Sequence, residues 1–88
     1  MSRQRTMEAI LNSEFVTIGE LSRITGVRYS TLKFYTEEGM LKFEQGGEKL
    51  TRRYRREESV RAVEEIVAMR KSGMTVPEVK EAVLGKKS

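Results

Sequence analysis

The sequence contains no cysteine and no histidine. These absences exclude a disulfide framework, a zinc finger, and any cofactor ligated by thiolate or imidazole. They also remove the commonest general base of enzymes. No apolar run approaches the roughly 20 residues that span a bilayer, so no membrane partner is expected. The opening residues Met1, Ser2, Arg3, Gln4 and Arg5 include bases, but no apolar stretch of signal-peptide type follows them. The expectation is a chain without metal or other cofactor, in a reducing cytoplasmic setting.

The 88 residues suffice for one small domain with one modest core. At 38% hydrophobic and 34% charged, the chain is too apolar for a disordered tail and too charged for a lipid-embedded one. The formal net charge of +4 says little by itself. Its distribution says more. Residues 49–56 read KLTRRYRR, with Lys49, Arg52, Arg53, Arg55 and Arg56 and no acid among them. A concentrated cationic segment on a compact domain is the footprint of a polyanionic partner.

Periodicity and punctuation divide the chain. Residues 1–14 form an extension in which Met7, Ala9, Ile10 and Leu11 suggest a short helix. Thr17 with Glu20 is a capping-box signature, and Ile18, Leu21 and Ile24 follow at helical spacing. Gly26 ends that helix, Val27 anchors the turn, and a second helix runs to about Glu38, stopped by Gly39. Its inner face is assigned to Leu32 with Phe34 or Tyr35; Arg28, Tyr29, Ser30 and Lys33 are left outside. Two short helices joined by a glycine turn make a helix-turn-helix, with the first turn of the second helix placed to enter the major groove.

Residues 40–44 and 50–54 read as two strands around a turn expected at residues 45–48, since Gly46 and Gly47 can take positive φ cheaply. This hairpin is a wing, and its return strand carries the bases. Arg52 and Tyr54 share one face of that strand; Arg53 and Arg55 share the other. A helix over residues 57–71 presents Val60, Val63, Ile66, Val67 and Met69, and Gly73 ends it. Thr75 and Glu78 form a second capping box, with Pro77 in the first turn of a last helix carrying Val76, Val79, Ala82, Val83 and Leu84. Residues 85–88 are a polar tail. The fold class expected is mainly α with a small β-hairpin wing. The doublets Glu37-Glu38, Glu57-Glu58 and Glu64-Glu65 are read as solvated helix faces, because adjacent residues do not face each other on a helix. Gly46-Gly47 lacks the spacing of a phosphate-binding loop. With no nucleophile beside a base, an enzyme is not expected.

The segment FVTIGELSRITGVRYSTLKFYTEEGML over residues 15–41 resembles the opening of the MerR family of transcription regulators. Thr51, Arg52, Arg53 and Tyr54 stand where that family has its wing motif Y-R-x-Y, and residues 72–79 stand where it has L-G-F-S-L-E-E-I. The resemblance covers about residues 15–84. It implies a winged helix-turn-helix bound to double-stranded DNA. The recognition helix would supply Tyr29, Ser30, Lys33 and Tyr35, with Tyr35 divided between core packing and a phosphate contact. The wing would supply Arg52 and Tyr54, beside Lys49, Arg53 and Arg55, and Thr17 would approach backbone phosphate at its helix N-terminus.

The match has departures. Arg28 occupies the usual N-cap serine position of the recognition helix, and Ser30 stands where arginine is frequent, so Arg28 is a candidate contact from one position earlier. The junction at residues 55–59 is one residue longer than the pattern. The family's long dimerisation helix and effector part do not follow. The expectation is a homodimer or a DNA-templated homo-oligomer, or a fragment of a longer dimeric regulator, in a bacterial cytoplasm. The alternative is an excisionase-like or partition-type architectural protein assembled on repeats.

Overall fold

The computed structural model describes residues 6–46 and 51–85, and the fold is that of a winged helix. In chain order the elements are α1 (Met7–Leu11), β1 (Phe15–Val16), α2 (Ile18–Thr25), α3 (Tyr29–Glu37), β2 (Glu44–Gly46), β3 (Thr51–Arg55), α4 (Arg56–Lys71) and α5 (Val76–Gly85). Each long helix presents one apolar stripe, and the stripes meet in a single core of Ile10, Val16, Leu21, Leu32, Tyr35, Met40, Leu41, Tyr54, Val63, Ile66 and Val79. Every element but β2 contributes to that cluster. Even α1, only five residues long, is pinned by Ile10, which is fully buried.

The local signals act as their chemistry dictates. Thr17 Oγ1 accepts from the Glu20 amide at 3.1 Å, and Glu20 Oε1 accepts from the Thr17 amide at 2.9 Å, closing the capping box that starts α2. The same reciprocal pair joins Thr75 and Glu78 at the start of α5. Those hydrogen bonds from Thr75 backbone and side chain favour the ionised form and hold the Glu78 carboxyl below its ordinary value.

Between α2 and α3 the chain turns through Gly26 at φ 78°. The turn closes on itself: the Gly26 amide donates to Ser22 O at 2.8 Å and Ser22 Oγ donates to Val27 O at 2.6 Å. A Cβ added at Gly26 would meet nothing within 4 Å, so the demand there is conformational rather than steric. Gly26→Ala is therefore expected to cost about 1–2 kcal/mol, the penalty for an L-residue in the left-handed region. Urea denaturation should show a lower midpoint with an unchanged slope.

Three boundaries differ from the sequence expectation. The first hairpin strand lies at Glu44–Gly46, not at residues 40–44. Met40 and Leu41, each 3% exposed, follow Gly39 straight into the core instead, and two neighbouring residues cannot both point inward from a regular strand. The sheet has three strands in the order β1-β3-β2, because Phe15 and Val16 pair with Arg55 and Tyr54. A two-residue strand has no periodicity to detect. Finally, α4 begins at Arg56, tied down by its amide to Glu14 O at 2.9 Å and by Arg56 Nε to Ser13 O at 2.7 Å. Glu57 and Glu58 then fall in its first turn, where negative charge complements the helix dipole.

Candidate nucleic-acid interface

The outer face of α3 is built by exclusion. Leu32, Tyr35 and Thr36 point into the core, so residues on the opposite side of a 3.6-residue turn must face solvent. Arg28, Tyr29, Ser30, Lys33, Phe34 and Glu37 are all exposed. Arg28 is the N-cap residue, extended at φ −62° and ψ 145°, and makes no side-chain cap bond. The first-turn amides of α3 thus lack the acceptor that a serine would supply, and a cation stands in its place. The flank toward α5 is closed by Lys80 Nζ donating to Glu38 Oε1 at 2.9 Å.

Packing sorts the two adjacent aromatics of α3. Tyr35 is 7% exposed, and its ring belongs to the core. Phe34, the other candidate for the inner face, is 42% exposed. The inner face is set by Leu32, Tyr35 and Thr36, and Phe34, about 100° before Tyr35, falls outside it. The ring of Phe34 leans on that of Tyr35, with centroids 6.1 Å apart and planes tilted by 55°.

The wing sorts its cations by what lies beneath them. Gln45 pairs with Arg52 and Glu44 with Arg53 across the hairpin. Arg52 stacks over the Phe43 ring at 4.7 Å, and Arg53 over the Phe15 ring at 5.0 Å. Neither has a carboxylate partner among the described residues. Arg55 does: its Nη1 lies 3.1 Å from Glu14 Oε2 and its Nε 3.2 Å from Glu44 Oε2, while it too stacks on Phe15. Both are surface ion pairs that offset its charge in the free protein. Arg55 fastens the wing to the chain before β1. Lys49 lies outside the described residues.

Tyr54 is a correction on the wing. It shares the Arg52 face of β3, as alternation requires, and its ring lies 6.3 Å from Phe43. Yet β3 runs from the wing into the body, where Tyr54 pairs with Val16. Two residues beyond Arg52, that face has become the inside of the protein. Tyr54 is fully buried, and its hydroxyl and Thr36 Oγ1 are 2.8 Å apart in a hydrogen bond. Thr36 also donates to Leu32 O at 2.8 Å, so the phenol ties the wing strand to α3.

Thr17 is exposed at the start of α2, with Glu20 folded back over the same N-terminus. The amides of Ile18 and Gly19, the first two of the helix, have no intrahelical acceptor. Sequence reasoning missed Phe34, and it missed Phe15 and Phe43 as platforms beneath the arginines. The i, i+4 spacing of Ser30 and Phe34 could have placed Phe34 outside; nothing local marks the platforms, because they depend on strand pairing. Among the described residues no helix is long and apolar enough to cross a membrane.

Comparison with known proteins agrees with this geometry at the level of family. The model of the MerR HTH family regulatory proteins matches residues 16–86, most of the chain. Among curated proteins and among solved structures, no significant match is found. The matched span contains both helices of the helix-turn-helix, the wing, α4 and α5. The chain belongs to the MerR family of helix-turn-helix regulatory proteins, whose members bind DNA and regulate transcription.

Proposed function

We propose that the chain binds double-stranded DNA sequence-specifically, with α3 in the major groove and the wing on the flanking phosphates. The observation that carries this reading is the pairing of two surfaces. One is an exposed, side-chain-uncapped α3 with Arg28, Tyr29, Ser30 and Lys33; the other is a wing whose Arg52 and Arg53 sit on aromatic platforms without carboxylate partners among the described residues. Stacking holds each guanidinium in a fixed plane while leaving its N–H fork free, which suits bidentate contact with phosphate oxygens. Thr17 and the amides behind it would add a weaker phosphate contact, since Glu20 already places a carboxylate at that helix end.

Residues 15–84 act as the binding unit in this reading, with residues 1–14 as an extension and 85–88 as a tail. A single copy reads few base pairs, so useful specificity requires two or more copies on the DNA. The deciding experiment recovers preferred duplexes from a random pool and maps the protected region. An inverted repeat is expected for a dimeric regulator, whereas direct repeats would favour an architectural array. With about six phosphates neutralised, affinity should fall with salt at a log–log slope near −5. Equal weak binding to selected and random duplexes would sink the reading.

A further inference from the structure

We propose that Phe34 reads thymine, by laying its ring against the 5-methyl group in the major groove; this rests on the docking of α3 just proposed. Ser30, Lys33, Phe34 and Glu37 are exposed at positions i, i+3, i+4 and i+7 of one helix. That is the spacing with which a homeodomain's third helix reaches base edges. Lys33 and Glu37 are neighbours one turn apart on this stripe, and Ser30 and Phe34 beside them carry no charge.

Glu37 indicates what that stripe lies against. A carboxylate laid along phosphates is repelled, whereas one aimed at base edges can accept from a cytosine amino group. The stripe therefore faces bases, and Phe34 is its apolar member. A phenyl ring offers no donor or acceptor to a base edge. The one feature of the major groove it fits is the thymine methyl, which aromatic and small apolar side chains contact. The ring leans on the buried Tyr35, and the contact restricts its freedom before any base is met.

The test uses a duplex selected from a random pool, with each thymine replaced in turn by uracil, which removes only the methyl. At one or two positions the native protein should lose about three- to fivefold in affinity, the value of one buried methyl group. Phe34→Ala should bind thymine and uracil equally at those positions. Because Phe34 is only partly buried, the variant should stay folded with a modestly lower melting temperature, checked by circular dichroism. If no thymine responds to uracil, or if Phe34→Ala keeps the native ratio, the proposal is wrong although DNA binding stands. If selection yields no preferred duplex, the docking reading itself fails at that earlier step.

Discussion

Replacing Tyr54 with alanine is expected to destabilise the domain by about 3–5 kcal/mol, the usual cost of emptying a large aromatic site in a core. Small domains have roughly 5–15 kcal/mol in total, so the variant should be partly unfolded at ordinary temperatures. Among the described residues Tyr54 is the largest fully buried side chain, and it joins β3 to α3 through Thr36. Chemical denaturation of both proteins measures the effect. Tyr54→Phe separates this role from a phosphate contact. Removing only the hydroxyl should cost about 1 kcal/mol of stability, since Thr36 keeps its bond to Leu32 O, and should leave DNA affinity unchanged. A phosphate-contacting phenol requires the reverse: native stability with weakened binding.

The double variant Arg52→Ala and Arg53→Ala should lose on the order of 100-fold in affinity for all duplexes, two charged hydrogen bonds at about 1.5 kcal/mol each. Its salt slope should become shallower by about two, since two fewer phosphates are neutralised. The fold should persist, because both side chains lie at the surface end of the wing. Arg55→Ala makes the internal control. Its guanidinium is already shared by Glu14 and Glu44, so its loss should leave the slope unchanged. Equilibrium titrations at three salt concentrations decide the matter. A native slope in the double variant would take the wing off the DNA, and a slope change in Arg55→Ala would show that its carboxylates let go on binding.

The two expectations depend on different kinds of information. The capping boxes at Thr17 and Thr75, the glycine stops at Gly26, Gly39 and Gly73, and the apolar stripe of α4 were legible because each is a local preference of the backbone or a helical period. The same holds for the exposure of Arg28, Tyr29, Ser30 and Lys33, which follows from the first turn's polarity. Errors began where a side chain's surroundings come from distant sequence. Phe34 and Tyr35 are adjacent aromatics of similar hydrophobicity; only the packing of α3 decided which one turned inward.

The wing shows the same division most sharply. Alternation along β3 determined that Arg52 and Tyr54 share a face and that Arg53 and Arg55 share the other. It could not determine whether that face is solvent or core, because the strand crosses from one to the other within its length. The burial of Tyr54 was decided by Val16 and Thr36, and the pairing of Arg55 by Glu14 and Glu44. By itself, then, the sequence determined a helix-turn-helix with a basic wing, through local propensity and charge. Tertiary structure alone chose which of those bases have a carboxylate partner among the described residues, because only long-range pairing brings a carboxylate or an aromatic ring beneath a given guanidinium.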